Sequence, residues 1–128
     1  MGESDFVVRF PDGERRTGSP TPGMLREEAI ATDTMWAGVV HTEGGMLSGW
    51  HHHGGYESVI YVLTGLLRME SGPAGSNVVE AGPGDFLLVP RGAIHREGNP
   101  AKDRGTAVVV RSGRGDAVVN VDGPAPSA

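Results

Sequence analysis

Four of the five histidines fall in two places: His51, His52 and His53 in one run, and His95 some forty residues later. Alternate side chains of a β-strand share a face. In a strand, His51 and His53 therefore point one way and His52 the other. Neutral imidazole is a ligand for Zn, Cu, Fe and Ni, and two rings at that spacing can grip one ion. A histidine run is also a common solvated surface feature, so the triplet alone leaves both readings open. Its surroundings decide.

The composition narrows what such a site could serve. The chain has 128 residues, 38% of them hydrophobic, enough for one compact domain with a core. It has no cysteine, which removes disulfides, thiolate metal ligands and cysteine nucleophiles. Eleven lysines and arginines against 16 aspartates and glutamates give a net charge of -5, which repels a phosphate backbone, so nucleic acid is not an expected partner. No apolar run approaches the roughly 20 residues of a membrane span. Residues 1–23 lack the basic start and apolar middle of a signal peptide. The expectation is a soluble cytoplasmic protein with no membrane partner.

Glycine at 21 positions and proline at 9 make the backbone turn often and disfavour long helices. Between the turns, runs rich in β-branched and aromatic residues recur at 35–43, 47–53, 58–63, 66–70, 77–80, 85–89, 95–97 and 106–111. This is the pattern of an all-β sandwich or barrel. Residues 24–33 contain good helix formers without a good cap, and we read them as a strand. Residues 1–23 form an N-terminal arm with one strand at 6–10, residues 24–112 the barrel, and residues 113–128 a strand at 117–121 followed by a fraying tail. The 6–10 strand is suited to a neighbour's sheet edge, which makes a homodimer the expected assembly.

Around the histidines the spacing is regular. Gly45 is followed by five residues, then His51, one residue, His53, three residues, Glu57, and Gly65 after seven more. Gly84 is followed by five residues, then Pro90, one residue, Gly92, two residues, His95, three residues and Asn99. These segments resemble the two motifs of the cupin superfamily, the second at every fixed position, and the resemblance covers residues 45–99. It implies a double-stranded β-helix, a jelly-roll barrel, of the small one-domain kind. It also implies a divalent metal (Fe, Mn, Zn or Ni) held by His51, His53 and His95, with Glu57 as the family's fourth ligand.

One spacing departs from the family's. Seven residues separate Glu57 from Gly65 where the motif has six, and counting back six from Gly65 lands on Ser58. Either a bulge after Gly54-Gly55 swings Glu57 inward, or the site is a bare three-histidine one with Ser58 beside it. We favour Glu57 as ligand because a carboxylate offsets the charge of a divalent cation. Met46, Trp50, Tyr61, Met69, Phe86 and Arg111 could line a pocket and are read first as core, whereas Arg96 should face away from His95. His41 lies outside both motifs and reads as an ordinary, partly exposed histidine. Arg114-Gly115-Asp116 is too short to mean cell adhesion, and Gly82-Pro83-Gly84-Asp85 lacks the lysine of a phosphate loop.

The expected function is a metal-dependent enzyme acting on a small oxygen-rich organic molecule, with dioxygen chemistry favoured because no separate acid–base pair is evident. The alternatives are a metal-dependent isomerase or lyase, or a non-catalytic barrel that binds a metabolite or metal.

Overall fold

The computed structural model describes residues 5–11, 16–17, 21–115 and 118–125. The described chain is built from strands: β1 (Arg16–Thr17), β2 (Met24–Ala31), β3 (Met35–Thr42), β4 (His51–His52), β5 (Glu57–Thr64), β6 (Leu67–Ser71), β7 (Asn77–Ala81), β8 (Phe86–Val89), β9 (His95–Gly98), β10 (Gly105–Ser112) and β11 (Val119–Asn120). A 3-10 turn at Pro73–Gly75 joins β6 to β7. The strands form two antiparallel sheets, one ordered β1-β2-β3-β10-β5-β8 and the other β11-β4-β9-β6-β7. This is the double-stranded β-helix expected from the sequence.

Alternation along the strands fills the space between the sheets. Val40, Ile60, Val62, Val89 and Val109 of the six-stranded sheet meet Leu67, Met69 and Ala81 of the other to form the apolar core. Burying a side chain of this size contributes about 1.5–3 kcal/mol. The same inward face continues through Arg26, Thr42, Ser58 and Arg111 on one sheet and His51, His95 and Glu97 on the other, all buried. The barrel interior is thus apolar in part and densely polar in part, and the polar part contains the histidines.

Residues 24–33 form a strand over Met24–Ala31, paired with β3 along its length and with one register shift near Ala29. Three expectations need correction. Residues 6–10 form no strand, and Phe6 and Phe10 are more than 80% exposed. The edge of β2 is taken instead by Arg16–Thr17. The strand expected over 47–53 contracts to His51–His52, with Leu47 making only an isolated bridge to Gly98. The strand expected at 117–121 is reduced to Val119–Asn120, and residue 117 lies outside the described residues.

The β5–β6 turn shows why its glycine is needed. Gly65 has φ +83, and a Cβ there would lie 2.7 Å from the Gly105 Cα, a backbone atom with little room to yield. Gly84 has φ +90 but nothing within 4 Å of the same position. Gly65→Ala should therefore destabilise the fold by clearly more than Gly84→Ala, whose cost is the left-handed backbone alone, about 1–2 kcal/mol. Urea unfolding of the two variants measures the difference.

Candidate metal centre

Two short strands of the five-stranded sheet, β4 and β9, carry His51 and His95, and His53 follows directly after β4. β4 is flanked on one side by β11, with Val119 opposite His52 and Asn120 opposite His51, and on the other by β9, with His51 opposite His95. That last pairing brings the two distant sequence segments together. His51, His53 and His95 are all at most 5% exposed, which removes the reading of the triplet as a solvated surface run. His52 points the other way, and its Nδ1 accepts a hydrogen bond from the Gly54 amide at 3.0 Å.

The three buried rings pack edge to face or tilted, with centroids 4.5 to 5.1 Å apart. One potential ligand atom from each lies within 4.8 Å of the others. Two rings are oriented from behind: Nδ1 of His51 donates to the Gly49 carbonyl at 3.0 Å, and Nδ1 of His95 donates to the Ala93 carbonyl at 2.8 Å. A proton on Nδ1 leaves Nε2 as the lone-pair nitrogen. In both rings that Nε2 is buried and has no hydrogen-bond partner among the described residues. Buried polar atoms are rarely left unsatisfied, and two such lone pairs in one cluster fit a divalent cation that accepts nitrogen donors.

The electrostatics of the two rings differ. Burial pushes the His95 imidazole below its usual range, with His51 and His52 adding to the effect against the pull of Glu97, so the ring is neutral, the form that ligates metal. Burial would also lower His51, but the carboxylate of Glu97 more than offsets it and raises the group. Glu97 Oε1 stands 3.4 Å from His51 Nε2, close enough to attract it as a charge without the geometry of a good hydrogen bond. Burial would raise the Glu97 carboxyl. The contact with His51 and the charges of His95, His51 and Arg26 outweigh it and hold the group down to about 2.

The structure does not bring Glu57 to the cluster. Its side chain is 43% exposed and pairs with Arg91 at 3.4 Å. The bulge needed to turn it inward is absent, because β5 stays in register from Glu57 opposite Ser112 and Ser58 opposite Arg111 as far as Val62. The ladder slips only at Thr64, at the far end of the strand, and that slip takes up the extra residue before Gly65. Ser58 faces inward instead and is 3% exposed.

The acidic group that does approach the histidines is Glu97, which the sequence reading passed over. Its signal was available: it lies two residues beyond His95 on the same strand and so on the same face. Arg26 was also missed, since the segment around it gave no clear period. Of the other residues singled out, Arg111 lines the interior cavity, whereas Phe86 is exposed and stacks on Tyr61 outside the barrel. Arg96 faces away as expected, bound to Glu70 and lying over Trp50. His41 is held between Glu27 at 2.6 Å and Thr106 at 3.0 Å, apart from the cluster.

A family model for the cupin domain matches residues 38–111, the span that carries this fold and the three histidines. The chain belongs to the cupin domain family. No curated protein matches it in sequence. Among solved structures, an uncharacterised conserved protein with a double-stranded β-helix domain from Klebsiella pneumoniae superposes with a TM-score of 0.67 at 18% identity, over 84% of this chain and 86% of that one. The polyketide cyclase RemF from Streptomyces resistomycificus superposes with a TM-score of 0.68 at 23% identity, over 80% and 73% of the two chains. Oxalate decarboxylase from Bacillus subtilis gives 0.66 at 19% identity, over 79% of this chain but only 28% of its own length. At these identities the likeness is one of fold.

Within this cupin, the fixed residues of the motifs have legible local roles. Gly45, Gly65, Gly84 and Gly92 all take positive φ at turns. Asn99 is 1% exposed and donates to the carbonyls of Thr42 and Asp103 while accepting from the Ala101 amide, which ties the loop after β9 to the end of β3.

Substituting His51 or His95 with Ala should abolish stabilisation by added Zn²⁺ or Fe²⁺ in thermal unfolding. Glu57→Gln should leave metal affinity unchanged, and Glu97→Gln should lower it by about tenfold or more, the usual effect of losing a supporting group. Metal titration of the four variants checks the contrast.

Proposed function

We propose that this cupin is a metal-dependent enzyme that acts on a small oxygen-rich organic molecule, with dioxygen chemistry as the favoured reaction. The observation that carries the reading is the pair of buried, unpartnered Nε2 atoms of His51 and His95 beside His53, which itself opens on the interior cavity. The cavity is partly open to solvent, and its wall is mostly apolar with a few polar side chains among them, the lining common to small-molecule sites. A divalent metal bound there would supply Lewis-acid or redox chemistry, with positions left open by a three-histidine set.

The chain's own side chains do the positioning. The Gly49 and Ala93 carbonyls fix two rings, and Val40, Ile60, Val62 and Val109 make the cavity wall apolar and keep water from much of it. Proton transfer is poorly provided for. Among the described residues lining this cavity the titratable groups are His53, Glu97, Arg26 and Arg111. The guanidiniums stay charged, His53 belongs to the histidine cluster and Glu97 lies against His51, so among these residues no acid–base pair stands apart from the cluster. This favours redox chemistry over isomerase or lyase chemistry. The barrel as a non-catalytic binder is the third reading.

For assembly we propose a homodimer. Val110, Val59 and Leu88 lie in one cross-strand row on the outer face of the six-stranded sheet, with Phe86 in the next row, and all are substantially exposed. β8 is an edge strand, and Phe6, Val7, Val8 and Phe10 of a second copy are suited to cover it. Removal of residues 1–22 should lower the mass in solution from dimer to monomer by light scattering, and an unchanged mass removes that role for the arm.

Protein purified without oxygen and loaded with Fe²⁺ should consume O2 when supplied with a panel of small enols, diketones and hydroxy acids, and lose that turnover as His95→Ala. A protein that retains only Zn²⁺ and ignores O2 while converting a panel member supports the isomerase or lyase reading instead.

A further inference from the structure

We propose that Arg111 and Ser58, assisted by Arg26, form a carboxylate-binding subsite on the wall of the cavity that His53 also lines, so that the substrate is a small organic carboxylate. The assignment deepens the metal-dependent reading and rests on it for what the bound anion is used for, while its physical basis is separate.

Arg111 and Ser58 are directly opposite each other on β10 and β5, and both side chains turn into the cavity that His53 and Glu97 also line. Arg111 is 7% exposed and Ser58 3%. The Nε of Arg111 and the Oγ of Ser58 are nevertheless each shut off from solvent and without a hydrogen-bond partner among the described residues. A guanidinium is charged at any physiological pH, and a buried charged donor left unmatched is strongly unfavourable. Arg111 and Ser58 come from adjacent strands and line one cavity, and their two unmatched donors suit an acceptor with more than one oxygen that enters beside them. A carboxylate provides two in a plane, the geometry that suits the guanidinium fork. The guanidinium is also held in place: Arg111 Cζ lies 5.5 Å from the centroid of the Trp36 ring on the neighbouring strand.

The charge balance points the same way. Arg26 and Arg111 contribute two positive charges to the cavity lining and Glu97 one negative. Burial lowers both guanidiniums from their usual range, and the charge of Arg26 lowers Arg111 further against the pull of Glu97 and Tyr56. An added anion reduces the excess. A carboxylate seated there shares the cavity with His53, which also lines its wall.

The test uses metal-free protein, so that the subsite is measured apart from the metal centre. Acetate is titrated at constant ionic strength against chloride, with acetamide as the neutral match, and the 15N–1H signal of Arg111 Nε is followed by NMR. Acetate should shift that signal and bind at least tenfold more tightly than acetamide. Arg111→Lys should weaken acetate at least tenfold, and Ser58→Ala at least threefold. Should Arg111→Lys fail to fold, the Nε signal of the parent protein and Ser58→Ala still decide the matter. Equal binding of acetate and acetamide, an unmoved Nε signal, or a folded Ser58→Ala protein that binds acetate like the parent would overturn the subsite. Carboxylate binding that persists in a protein unable to take up metal would support the subsite and refute the metal-dependent function.

Discussion

The pairing of His51 with His95 across β4 and β9 is the constraint on which the site depends. It joins two segments separated by more than forty residues, places their imidazoles on one inward face, and fixes both rings through carbonyls of the adjoining loops. Much of the surrounding backbone serves that register. β4 is only two residues long and is steadied by β11 on its outer edge, and the loop beyond β9 is locked by Asn99. The cost of burying polar groups is concentrated here, where the interior holds three imidazoles, a carboxylate and two guanidiniums in a small barrel.

Such an interior is hard to account for as packing alone. Apolar side chains of similar volume would stabilise the fold more simply, and they do so in the part filled by Val62, Leu67 and Met69. The polar residues instead form two groups, the histidine cluster, of which His53 reaches the cavity, and the donors of Arg111 and Ser58, whose side chains line the same cavity. A cation suits the first group and an anion the second. The two ligand chemistries are complementary, and a small carboxylate beside a metal ion satisfies both.

Much of this was legible in the sequence because it depends on local rules. The alternation of His51, His52 and His53 settled which rings face inward, and the second motif from Gly84 to Asn99 carried its turn glycines and its histidine in the expected places. Strands 35–43, 58–63 and 106–111 came through with ends displaced by a residue or so, since their β-branched runs are bounded by clear turns. What failed depends on long-range register. The orientation of Glu57 turns on where β5 absorbs one extra residue, and the slip falls at Thr64, far from the carboxylate. Residues 6–10 have the composition of a strand, but composition does not supply a partner, and the adjacent edge is occupied by Arg16–Thr17. Glu97 was visible as the inward neighbour of His95 and was overlooked because the motif names another glutamate. Arg26 and Ser58 gain meaning only once neighbouring strands bring them to the same cavity as Arg111.

The most direct test of the central claim is anomalous scattering from crystals equilibrated with a divalent transition metal. The account predicts one dominant peak per chain, bounded by the imidazoles of His51, His53 and His95, with Glu97 nearer to it than Glu57. A peak seated at Glu57 or on the protein surface, or none at saturating metal, would contradict it.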